Sequence, residues 1–186
     1  MSSKAVISNR RGNIVPMLDE AREHFQKWFV EPLNYLYTNE HAGFAIVMLS
    51  LPLLERYLRQ KSGVHEKTSL DSRFFNELFS LFPTLGDTAT ARDFWRLYRH
   101  GLLHQATLKT EIGTLEVSVK NDIDAWPITV SMCSQGRRFI VAPVVLSKMI
   151  IGEIESNFST FIAPNSTAHP LSTVAISAGS SGVYRP

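Results

Sequence analysis

The run from Ala42 to Leu54 constrains the fold more than any other stretch. Its first half, Phe44-Ala45-Ile46-Val47-Met48-Leu49, is apolar on every side of a helix and is therefore expected to be buried all round. The run is too short for the ~20 residues that a membrane-spanning helix needs, so it reads as a core helix. Thr38 or Asn39 can cap that helix by accepting bonds from its free amides, which places it at about Glu40 to Lys61. Pro52 removes a backbone donor and is expected to kink it. Beyond the kink, Glu55, Arg56 and Arg59 fall on its polar side.

A buried helix needs neighbours, and the flanking chain supplies them. From Pro16, the apolar positions Met17, Leu18, Ala21, Phe25, Trp28 and Phe29 recur at helical spacing, and Pro32 is expected to end that helix. Phe74, Phe75, Leu78, Phe79 and Phe82 form an aromatic stripe over about Asp71 to Phe82, stopped by Pro83. After the turn Thr84 to Thr88, with a capping Asp or Thr, a fourth helix is expected from about Ala89 to Gln105. One of its faces carries Phe94, Trp95, Tyr98 and Leu102; another carries Arg92, Arg96 and Arg99. The pattern then changes to alternation at Leu115, Val117 and Val119 and again at Ile128, Val130 and Met132. With a hairpin turn at Ser134-Gln135-Gly136-Arg137 and a strand Arg138 to Val141, this predicts a small antiparallel β insert at about 107–141. Pro143 opens the last helix, with Leu146, Met149, Ile150, Ile154, Phe158 and Phe161 on one side. The expectation is a mainly α bundle of about five helices over 15–163, a flexible start at 1–14, and a disordered tail at 164–186, where Ser, Thr, Ala, Pro and Gly dominate.

Composition narrows the function. Hydrophobic residues make up 44% of the chain, enough for one domain with a sizeable core. Nineteen Lys and Arg against seventeen Asp and Glu leave a formal charge of +2, so affinity for nucleic acid has to come from a local patch. The one cysteine, Cys133, has no partner for an internal disulfide and reads as a buried spectator thiol. Met1 to Ala5 lacks the apolar core of a secretory signal, so the protein is expected to be cytoplasmic and away from membranes.

The patch is in the fourth helix. Tyr98-Arg99-His100-Gly101-Leu102-Leu103-His104-Gln105 gathers a guanidinium, two imidazoles and a carboxamide. Such groups can hold and transform a phosphate. An arginine fork matches two phosphate oxygens and stays charged, and histidine titrates near neutrality and suits both proton roles. The like charges of Arg92, Arg96 and Arg99 bias the imidazoles toward their neutral, basic form. On an ideal α-helix, residues five apart are turned by ~140°, so Arg99 and His104 share a face only if the helix ends there or a second copy contributes, which points to a two-fold dimer. Blander readings compete. The arginines can form a solvated face, and His100 and His104, four apart, can be a metal pair, though no glutamate follows His100 and the same segment holds no third ligand, which His24, His41 or His65 would have to bring from elsewhere. Trp95 and Tyr98 read as core rather than as base-stacking platforms.

Arg99-His100-Gly101-Leu102-Leu103-His104 resembles the mark of the HEPN superfamily: an arginine, a polar residue, three further residues and a histidine. The polar position is most often Asn or Asp in such motifs; here His100 fills it and keeps hydrogen-bonding capacity. Glu55 and Arg59 also look like the charged pair that this superfamily places near its site. The resemblance implies a HEPN-like helical bundle, a homodimer, and a metal-independent, cofactor-free endoribonuclease whose product is a 2',3'-cyclic phosphate. A toxin or phage-defence setting, with an antitoxin or defence-system partner protein, is implied as well. In that reading His104 is the principal acid and base, Arg99 the transition-state stabiliser and His100 the orienting or second proton-transfer group. Arg92, Arg96 and Arg59 contact RNA phosphates, and Glu55, Gln105 and Tyr98 support the site. Leu102 and Leu103 pack inward, and Gly101 permits close approach of another chain or of substrate. The alternative implied by the same scaffold is a non-catalytic binding or dimerisation module.

Overall fold

The computed structural model describes residues 14–103, 109–110, 113–117, 126–134 and 136–163. The expectations of a flexible start and a disordered tail fall outside those residues. The first helix, α1 (Ile14–Phe25), does not end near Pro32: it runs through a π turn at Gln26–Val30 into α2 (Glu31–Leu36). Pro32 is accommodated because it falls in the first turn of the resumed α segment, where a missing amide costs little.

The central helix α3 spans Gly43–Ser62 with Pro52 inside it, starting later than expected. Neither Thr38 nor Asn39 caps it: Ala42 is the N-cap, and the Asn39 side chain instead accepts the amide of His41. Nor is its first half enclosed. Ile46, Val47, Ser50, Leu51, Leu54, Tyr57 and Leu58 point into the core, while Phe44 is 37% and Leu49 41% exposed, with Ala45 and Pro52 beside them. Apolarity on all sides told only that the helix avoids water; this chain supplies neighbours for one side.

α4 (Ser72–Leu81) begins at an Asp71 cap that accepts the amide of Arg73 at 2.9 Å. A 3₁₀ turn, Pro83–Leu85, leads to Asp87, which accepts the amide of Thr90 at 2.6 Å and caps α5 (Thr88–Arg96). From α5 the chain continues without a break as a π-helical segment, Leu97–Leu103. On the other side of α3 lies α6 (Pro143–Ser156), followed by α7 (Phe158–Ile162). The Ser50 hydroxyl hydrogen-bonds to Ser147 at 2.7 Å, and the Tyr57 hydroxyl donates to Glu153 at 2.7 Å, so α3 and α6 run in the same direction.

Four strands form one sheet in the order β1-β2-β4-β3: β1 (Lys109–Thr110), β2 (Gly113–Val117), β3 (Ile128–Cys133) and β4 (Gly136–Val141). The insert is mixed rather than antiparallel. β3 and β4 form the expected hairpin, but β2 pairs with β4 in parallel, Leu115 opposite Phe139. Alternation sets which face is buried and does not set strand direction, which depends on which strand becomes the neighbour, here β4. Gly113 is required at that pairing, because a Cβ there would run into the Arg137 carbonyl. The sheet lies against the helix of interest: Phe139 packs on Phe94 with ring centroids 5.6 Å apart, and Arg137 is ion-paired with Asp93.

Candidate functional site: two hollows sharing Arg99

α5 splits its faces as its periodicity requires. Phe94, Trp95, Leu97 and Tyr98 are buried, with the Trp95 ring edge-on to Phe74 at 5.0 Å and to Tyr98 at 5.3 Å. Arg92 and Arg96 are exposed and Arg99 is half-buried. The same apolar anchoring that seals one side thus presents three guanidiniums on the other.

Arg99 sits between two concavities. One, of about 600 Å³, is lined by Ser69, Leu70, Phe75, Arg92, Trp95, Arg96 and Arg99. The other, of about 240 Å³, is lined by Pro52, Glu55, Arg56, Arg59, Glu66 and Arg99. Among the described residues the first contains no carboxylate and the second contains two. Arg92 lies over the Phe75 ring at 5.1 Å, and among the described residues neither it nor Arg96 has an acidic partner.

Glu55 joins the two charged helices. Its Oε1 accepts Arg59 Nε at 2.9 Å and its Oε2 lies 3.6 Å from Arg99 Nε. Glu55 faces Nε, and among the described residues the terminal Nη groups of Arg99 have no acidic partner. Tyr98 lies below, fully buried; burial first, and then the charge of Glu55, push its phenol well above its usual range, so it stays protonated at neutral pH. Its hydroxyl has no hydrogen-bond partner among the described residues.

Arg59 takes a different part from the phosphate contact expected of it. The residue is only 6% exposed, and besides Glu55 it donates to the carbonyls of His65 at 2.9 Å and Thr68 at 3.2 Å. It is not on a solvated polar side; it fastens the loop after α3. That loop walls both hollows, with Glu66 in one and Ser69 and Leu70 in the other. Arg56 likewise pairs with Glu66 at 3.5 Å and donates to the Phe161 carbonyl.

His104 and Gln105 lie outside the described residues, and of His100 only the backbone is described, within the π segment. That segment changes one premise. A π-helix hydrogen-bonds residues five apart, which draws such positions toward one side instead of setting them ~140° apart as in an α-helix. π segments occur frequently at functional sites. Among the described residues no group of three His, Cys, Asp or Glu is placed to hold a metal, and no helix is long and apolar enough to cross a membrane.

Sequence reasoning brought out Arg92, Arg96, Arg99, Glu55 and Tyr98, and the structure gathers these five. It did not bring out Ser69, Leu70 or Glu66, whose loop carries no motif, nor Phe75 as a wall, since an aromatic stripe gives no sign of which ring a guanidinium will cover. Compared with known proteins, the chain matches no family model, no curated protein and no solved structure.

Proposed function

We propose that this chain is a metal-independent endoribonuclease of HEPN type, acting as a homodimer. One observation carries the reading: Arg99, steered by Glu55 at 3.6 Å, stands at the lip of a hollow with Arg92 and Arg96, on a π-wound segment that continues toward His104.

The chemistry follows from these groups. A neutral imidazole, His104, takes the proton of a ribose 2'-hydroxyl, and the oxygen attacks the adjacent phosphorus. Negative charge grows on the phosphorane oxygens, where the Nη groups of Arg99 donate. The 5'-oxygen leaves with a proton from a second imidazolium, which His100 or the other subunit supplies. The products are a 2',3'-cyclic phosphate and a 5'-hydroxyl. In the dimer, Arg99 of one subunit and His104 of the other serve the same phosphate. The open apolar face of α3, with Phe44, Ala45, Leu49 and Pro52, runs up to the hollow that holds Glu55 and supports a second copy seated beside the site.

That face also favours the second reading, a binding or dimerisation module without activity. RNA cleavage in excess EDTA separates the two. Wild type cuts, and Arg99→Ala and His104→Ala, folded by circular dichroism, lose about 10²–10³-fold in kcat, the cost of removing a transition-state donor. No cleavage of any RNA by wild type leaves the module; loss of activity in EDTA alone restores the metal pair.

A further inference from the structure

The two hollows that meet at Arg99 differ in sign, and a polyanion must distinguish them. Among the described residues the larger has three guanidiniums and no carboxylate, whereas the smaller has Glu55 and Glu66 on its walls, with Arg56 and Arg59 already paired to them. We infer that RNA enters from one side only: the larger hollow holds the single-stranded nucleotides on one flank of the scissile phosphate, and the smaller hollow stays free of backbone. This inference rests on the proposed function for what sits at Arg99, and names the part of the substrate that the neighbouring surface takes.

Geometry supports a strand in that hollow. Arg92 and Arg96, four apart on α5, are separated by about 6 Å along its axis, comparable to the step between phosphates along an extended strand, and Arg99 follows on the π-wound segment. Arg92 adds a platform. Its guanidinium lies over the Phe75 ring at 5.1 Å, which leaves its opposite face to stack an unpaired base, the way guanidinium planes receive bases in single-stranded RNA. Trp95 lines the same hollow, and its ring, edge-on to Phe74 and Tyr98, fixes the floor beneath the arginines. The Ser69 hydroxyl lines the same hollow.

The test uses the full-length protein and a fluorescent 2'-O-methyl oligoribonucleotide, which cannot be cut because its 2'-oxygen is blocked. Anisotropy titrations over a range of salt compare wild type with Arg92→Ala, Arg96→Ala, Arg92→Lys and the exposed control Lys148→Ala. Arg92→Ala and Arg96→Ala each weaken binding about tenfold, and each lowers the salt slope by about 0.7 per lost phosphate contact. Arg92→Lys keeps the slope but loses the stacking share, and Lys148→Ala matches wild type. A duplex of the same sequence binds at least about tenfold more weakly, since its bases cannot stack on the platform. Wild type that does not bind the strand, or arginine variants indistinguishable from Lys148→Ala, overturn the inference. Cleavage of the unmodified strand is followed in parallel. Arginine-dependent binding without cleavage removes the ribonuclease and leaves the groove; cleavage with binding indifferent to Arg92 and Arg96 does the reverse.

Discussion

Replacing Arg59 by alanine removes a guanidinium that is 6% exposed and makes three bonds: to Glu55 at 2.9 Å and to the carbonyls of His65 and Thr68 at 2.9 and 3.2 Å. A hydrogen bond from a charged donor contributes about 1.5 kcal/mol or more, so the two carbonyl bonds account for about 3 kcal/mol. Among the described residues Glu55 then keeps only Arg99, at 3.6 Å, and a total of about 3–4 kcal/mol agrees with the cost of breaking a mostly buried pair. With a slope of about 2 kcal/mol per molar urea, the unfolding midpoint falls by about 1.5–2 M. Glu55→Ala leaves Arg59 its two carbonyls and costs about 2 kcal/mol. The double variant should then cost about 1–2 kcal/mol less than the sum, because the shared pair is removed once. Arg59→Lys recovers less than half of the loss, since an ammonium lacks the fork that reaches two carbonyls and a carboxylate together. Arg99→Ala, by contrast, removes a side chain 41% exposed and changes stability by less than about 1 kcal/mol. Equilibrium urea unfolding followed by tryptophan fluorescence measures wild type and the five variants. An Arg59→Ala midpoint within about 0.3 M of wild type, or additive single losses, would refute the assignment of Arg59 as the fastener of the loop.

Three further outcomes follow from the same geometry. Gly113→Ala places a methyl against the Arg137 carbonyl and should lower stability by about 1–3 kcal/mol; an unchanged melting temperature contradicts the parallel pairing of β2 with β4. Asp87 accepts the Thr90 amide, which holds its carboxyl below the usual range. The stability this confers is complete above the unfolded-state pKa of about 3.9 and is lost as pH falls through the folded value, so wild type should lose melting temperature more steeply below pH ~4 than Asp87→Asn, which caps without titrating. Parallel acid profiles for the two proteins would exclude this. Leu49→Glu puts a charge on the open face of α3 and should give a folded monomer by light scattering; a wild type already monomeric at micromolar concentration removes that face from the assembly.

The sequence by itself determined the order of the helices and strands, though not every end or cap, because periodicity is local. Asp87 before an apolar stripe starts α5, and the spacing of Phe94, Trp95 and Tyr98 forces Arg92, Arg96 and Arg99 onto the other face whatever packs against it. Tertiary structure decided everything that depends on which neighbours arrive. Phe44 and Leu49 are as apolar as Ile46 and Val47, yet only the latter are enclosed by partners within the chain. Arg59 and Arg99 are the same residue type four and seven positions from other arginines or glutamates, yet a loop folds over one and leaves the other half open. The shift from α to π winding at Leu97 is equally invisible to composition. Burial, strand direction and helical winding at Arg99 are set by contacts between segments far apart in the chain, and those contacts, rather than the motif alone, give the arginine its two unlike neighbours.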